Sequence, residues 1–224
     1  MATRLLLAEL AADFQAQAGI QVQIESVGGV DAAKRVSNGA QNGEAFDLVF
    51  LASDAIDKLI ASGHVDANSK VDLVDSGVAV AVKMVANVPD ISSEAAVKAA
   101  VLAAKTISYS TGPSGVALAK LFERWGIADQ IASRIVQAPP GVPVGSLVAR
   151  GEVELGFQQL SELIHLDGIS IVGPLPPAIQ ITTTFSAGVC STSPNKAPAK
   201  AVLAFMASPA AQAAKLRQGM ELIT

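Results

Sequence analysis

The stretch "ISYSTGPSGVALAKLFERWG", residues 107–126, decides the fold. A β-branched and aromatic run reaches Ser108, Tyr109, Ser110 and Thr111, then breaks at Gly112-Pro113. Ser114 and Gly115 follow, and apolar residues at helical spacing run out to Gly126. A strand that hands over to a helix within a few residues is the signature of an α/β unit. The turn holds more hydroxyls and glycines than one N-cap requires. A helix start leaves its first N–H groups unpaired and carries about half a positive charge. Such a junction binds an anion with no Arg or Lys.

The same alternation extends in both directions. Upstream, "ATRLLLAELAADFQAQAG" spaces Leu6, Leu10 and Phe14 as a helix and stops at Gly19. "IQVQIESV" alternates as a strand, with Ile20, Val22 and Ile24 on one face, and "VDAAKRVSNGA" is a helix with Asp31 in its first turn. "FDLVFLAS" is a near-continuous apolar run, the pattern of a parallel strand covered on both faces, and "DAIDKLIASG" follows as a helix. "GVAVAVKMV" is a further strand, then a helix over about 93–104. Downstream the pattern predicts a short helix at 128–133, a strand at 134–137, the turn "APPGVPVG" and a helix at 145–150. A strand at 153–158, a helix at 159–164 and a strand at 169–172 complete the middle. "ITTTFSAGVC" is a long strand, and two terminal helices are divided by Ser208-Pro209. This predicts an α/β fold with a mostly parallel sheet.

Strands 78–84 and 181–190 are the longest extended runs, and each lies where the local organisation changes. Both are expected to cross between two lobes: residues 1–81 with 185–224 form lobe one, and 82–184 form lobe two. A ligand is expected between the lobes, beyond the carboxyl ends of the strands. Four strand-to-helix junctions are built from small residues: "SVGG" (26–29), "LASD" (51–54), "STGPSG" (110–115) and "PPGVPVGS" (139–146). Singly each is ordinary helix grammar. Four in one two-lobed chain point to a shared anion cradle.

Composition narrows the function. The net charge of −4 gives no electrostatic footprint for nucleic acid. No apolar run reaches the length that spans a bilayer, and the Met1-Ala-Thr-Arg opening lacks the apolar core of a secretory leader. Cys190 is the only cysteine and lies in an apolar strand-like run, so it reads as a buried small hydrophobe. His64 and His165 are isolated, which predicts no metal cluster. The phosphate-loop and dinucleotide glycine motifs are absent, as is Gly-x-Ser-x-Gly, so no cofactor is expected. Glu152, Glu154, Asp54 and Asp57 read as solvated faces, and Trp125 as a packing anchor.

"FDLVFLASDAIDKLIASG" and "GEVELGFQQLSELIHLDGISIVGPLPPAIQ", followed by "TTTFSAGVCSTSPNKAPAKAVLAFMASPAAQAAKLRQGM", resemble periplasmic molybdate-binding proteins over essentially the whole chain. "VGPLPP" and the "SPAAQ" helix break carry the likeness most specifically. The resemblance implies a type II periplasmic binding protein: two α/β lobes joined by two crossing strands. It also implies a periplasmic location and ligand contacts from backbone amides and hydroxyls at helix starts. By position these fall at Ser26, Gly28 and Gly29, at Ala52 and Ser53, and at Ser110, Thr111, Ser114 and Gly115. Gly141, Val144, Gly145 and Gln159 complete the set. Two features depart from that family. Gln159 stands where the family has a tyrosine, and the family's first strand has no counterpart here. Another segment or another chain is expected to occupy that place, through an oligomer or a strand swap.

Two functions follow from the resemblance. One is a solute-binding protein that holds a small oxyanion or organic acid and passes it to an ABC permease. The other is an isomerase of a small tricarboxylic acid, since relatives of the Gln-Gln branch include aconitate isomerases. Isomerisation needs a base near an acidic C–H. The candidates are Tyr109, Glu25 and Lys34, with Lys34 and Arg35 also able to meet a ligand carboxylate.

Overall fold

A computed structural model of the chain describes residues 2–139 and 141–223. The chain forms two compact units: residues 2–75 with 183–223, and residues 76–182. Strand β2 (Val71–Lys83) and strand β6 (Thr182–Val189) carry the backbone from one unit to the other.

The first unit opens with α1 (Arg4–Ala18), which ends on Gly19 in the left-handed conformation, φ 69°. Helix α2 (Gly29–Asn42), strand β1 (Leu48–Ala52) and helix α3 (Ser53–Ala61) follow. Helices α9 (Lys196–Ala207) and α10 (Gln212–Arg217) close the chain, separated at Ser208-Pro209. β1 alternates between two cores. Leu48 and Phe50 pack with Leu6, Leu10, Phe14, Val202 and Met206, while Val49 and Leu51 pack with Ile56, Leu59 and Val65. Cys190 joins the second core, where burial and the nearby Asp47 charge push its thiol up to about 11. It behaves as a packing residue.

The second unit holds α4 (Glu94–Ala103), β3 (Ile107–Tyr109), α5 (Pro113–Arg124), α6 (Ala128–Ile131) and α7 (Val144–Arg150). Then come β4 (Leu155–Gln159), α8 (Leu160–Leu163) and β5 (Ile169–Pro174). Its strand order is β5-β2-β4-β3. Strand alternation sends Val78, Val80 and Phe157 to one face, against Val97, Leu118 and Phe122. Ala79 and Ala81 go to the other, against Val144, Leu147, Val148 and Leu163. Small Ala residues on that face let α7 lie close, and Gly156 deepens the approach: a Cβ there would meet Val148 at 2.6 Å.

Four expectations need correction. The sheet is mixed, with β3 and β4 its parallel pair, because β2 and β6 run through their neighbours in the opposite sense. β1 is covered on both faces as expected, yet it pairs antiparallel with β6. The segment 20–27 is not a strand: it is irregular, and among the described residues no backbone hydrogen bond reaches it. Its alternation survives only as Val22 and Ile24 leaning on the first core. A strand exists by pairing, and no neighbour stands in register. Segment 134–137 is reduced to one parallel bridge, Ile107 to Ile135, before the chain turns at Pro139. Pro140 of the predicted turn lies outside the described residues.

Candidate functional site

The parallel pairing of β3 and β4 fixes the geometry of the second unit. Tyr109 stands opposite Phe157, so both strands deliver their chains at the same sheet edge. Beyond β3, Ser110, Thr111 and Gly112 turn the chain into α5, with Gly112 at the N-cap and Pro113 in the first turn. The Ser110 and Ser114 hydroxyls lie 3.5 Å apart. Beyond β4 the chain enters α8 directly, with the buried Gln159 at the cap. The start of α7 joins this edge through Gln158, whose Oε1 accepts from the Gly145 amide at 3.4 Å. Ser110, Thr111, Ser114, Gly115, Val144, Gly145 and Gln159 are thus gathered at one edge. Gly141 lies outside them, in the turn before α7, with φ +79°.

Packing gives two of these glycines a second reason to be glycine. A Cβ on Gly115 would lie 1.6 Å from the Ser110 carbonyl oxygen, so the turn closes only with hydrogen there. One on Gly145 would meet Leu166 at 2.5 Å and Leu163 at 2.9 Å.

In the first unit, Gly28 caps α2 and Ala52 caps α3. Ser26, Gly28 and Gly29 are exposed, Ala52 is buried and Ser53 is half-buried. Ser53 Oγ donates to Asp72 at 3.5 Å, and the same carboxylate oxygen receives Ser186 Oγ at 2.5 Å. Each of these helix starts carries its own carboxylate, Asp31 in α2 and Asp54 in α3. Asp31 Oδ2 reaches back to within 3.7 Å of a Cβ position on Gly28. The starts of α5 and α7 carry none.

The candidate bases separate clearly. Glu25 is held by Arg35 at 2.7 Å, and Arg35 is shared with Glu44 and stacked over Phe46. Those contacts hold Arg35 in its charged form. Lys34 is exposed on α2. Tyr109 packs edge-on against Phe122, and burial raises its phenol above the ordinary value, so it keeps its proton. Sequence reasoning passed over a further carboxylate, Glu162, in the first turn of α8. It is half-buried, and burial raises its carboxyl above the usual range. Ser108 Oγ and Ser161 Oγ are buried, with no hydrogen-bond partner among the described residues. The signal lay in "FQQLSE", where an apolar strand turns polar at its end. Among the described residues no group of His, Cys, Asp and Glu is arranged to hold a metal.

Residues 1–221 match the model of the bacterial extracellular solute-binding proteins. The chain belongs to that family. It is 38% identical over 202 residues to an aconitate isomerase from a Pseudomonas species, a match covering 89% of this chain and 77% of the relative. Among solved structures, the periplasmic molybdate-binding protein of Azotobacter vinelandii has TM-score 0.79 at 23% identity, covering all of this chain and 96% of its own. A periplasmic thiamin-binding protein has TM-score 0.75 at 16% identity, covering 98% and 79%. These structural likenesses bear out the two-lobed type II periplasmic binding protein fold. Neighbours that differ as much as molybdate and thiamin binders do not select a ligand.

Proposed function

We propose that this member of the solute-binding family binds a small tricarboxylic acid of the aconitate type and shifts its double bond. The 38% identity with an aconitate isomerase, spread over 202 residues, carries the reading. The chemistry of the second unit agrees with it. The α5 start offers amides and the Ser110, Thr111 and Ser114 hydroxyls to carboxylates, and its first turn carries no acidic residue of its own. Ser26, Gly28, Gly29, Ala52 and Ser53 are the contacts proposed from the first unit, with Lys34 beside them. Gln159 in place of the family's tyrosine adds an amide able to donate to one carboxylate while accepting from a hydroxyl.

A second reading keeps binding without turnover: a periplasmic receptor that delivers a small anion to an ABC permease. The family match and the molybdate-binding neighbour favour it. One set of experiments separates the two. Calorimetric titration with cis- and trans-aconitate, citrate, molybdate, tungstate and sulfate reports binding, and proton NMR of the aconitates reports interconversion. Turnover of aconitate supports the first reading. Tight binding with no turnover selects the second, and silence across the panel removes both.

A further inference from the structure

A groove of about 280 Å³ on the second unit runs between the outer face of α5 and the segment 178–181. None of its lining residues belongs to the set proposed to hold the substrate. On α5, Leu118, Leu121 and Phe122 are buried in the core, and Lys120 and Arg124, four residues apart, share the flank beside them. Gln180 sets the opposite wall. Its Oε1 accepts from the Val78 amide at 3.1 Å and from the Ile181 amide at 2.8 Å, which ties the segment to β2. Beside it Ile179 turns inward, 5% exposed, and Ala178 stays open.

The polar side chains of the groove are Lys120, Arg124 and Gln180, and each is left with donors alone. An ammonium has no acceptor, and among the described residues Lys120 forms no ion pair. Arg124 gives Nη2 to Glu94 at 2.7 Å and keeps its other N–H groups. Gln180 has its carbonyl oxygen engaged twice, so Nε2 remains. Among the described residues no acidic side chain lines the groove. The chain as a whole carries a net charge of −4, so this cationic excess is local. Leu121 and Ile179 supply an apolar floor. A matching guest brings an anionic oxygen to Lys120 and a hydrocarbon to that floor. A volume at the lower end of the small-molecule range limits it to a short chain. We propose that this groove is a second binding site, for a short organic acid with one carboxylate and an apolar tail, and that Lys120 makes it selective for the anion. It lies about one to three turns along α5 from the hydroxyl-rich turn, and it does not depend on the aconitate reading.

The test titrates the isotope-labelled full chain with hexanoate, hexanol and hexylamine and follows backbone amides by NMR. Hexanoate should give saturable shifts confined to 117–124 and 178–181, with Kd on the order of 1 mM. Hexanol should bind about tenfold more weakly, and hexylamine should not saturate. Lys120→Met should weaken hexanoate about fivefold and Lys120→Glu about tenfold or more, with hexanol unaffected. Lys120 is exposed, so thermal melting of both variants should match wild type. Equal affinity for hexanoate and hexanol, or wild-type hexanoate affinity in Lys120→Met, would remove the anion selectivity and overturn the proposal. Shifts centred on 110–115, or none that saturate, would overturn it as well.

Discussion

The helix starts of the two units are built from the same residue types and held in opposite ways. In the second unit, α5 begins in a turn closed so tightly that Gly115 has no room for a Cβ, and α7 is pinned by Gln158 and by Leu163 and Leu166. In the first unit, Gly28 and Gly29 meet nothing closer than 3.6 Å. They also follow the segment 20–27, which lacks backbone hydrogen bonds among the described residues. At these helix starts Gly115 and Gly145 are packing requirements, and Gly28 and Gly29 are not. The electrostatics differ in the same sense: Asp31 and Asp54 compensate the first unit's helix starts, and α5 and α7 stay uncompensated.

The largest contrast should appear in amide hydrogen exchange. The Cys190 amide donates to the Asp47 carbonyl, so the parity of the β1–β6 ladder turns the Val49 and Leu51 amides toward β6. Leu48, Phe50 and Ala52 then face the free edge of β1. Their amides, with those of 20–27, should exchange orders of magnitude faster than Val49, Leu51 and the β2 amides at 78–82. Uniform protection along β1 would mean that another strand covers that edge, from a longer chain or a second copy, as the resemblance implies. Comparing exchange and sedimentation for chains extended upstream of Met1 would then say which.

Next in size is Gly115→Ala. The backbone oxygen of Ser110 cannot yield as a side chain would, so a loss of at least ~3 kcal/mol is expected in chemical denaturation. An unchanged midpoint would show that the second-unit turn is no more constrained than the first. Gly29→Ala sharpens the comparison from the other side. Its nearest atom is Leu51 Cδ2 at 3.6 Å, and alanine suits a helix, so stability should stay level or rise by up to about 1 kcal/mol. Weaker aconitate binding by that stable variant would mark close ligand approach as the reason for glycine. Smallest is Arg35→Met. Arg35 pairs with carboxylates that are well exposed, at 65% for Glu25 and 36% for Glu44, so its loss should shift melting slightly and the difference should fade as salt is raised.

Much of this was legible from residue order. Leu6, Leu10 and Phe14 announced α1, and Ser208-Pro209 announced the break before α10. "STGPSG" announced a turn that feeds a helix. The reading failed where a partner had to be known. Ile20, Val22 and Ile24 alternate like a strand, but alternation describes a face and not a neighbour. "FDLVFLAS" is apolar on both sides, which identifies its two covering layers and leaves the sense of its pairing open. Among residues at that sheet edge, Gln158 was passed over because its place depends on an amide from α7.

Residue order alone determined the helices, their caps and the hydroxyl-rich corners, because those signals act over one turn of backbone or one period of side chains. Tertiary structure decided which strands pair and in which sense. It also decided which corners share an edge, and whether a glycine is needed for room or merely permitted. These outcomes depend on contacts between residues far apart in the chain, such as Ser108 beside Gly156 or Gly145 on Gln158. Their energies exist only once the two segments have met.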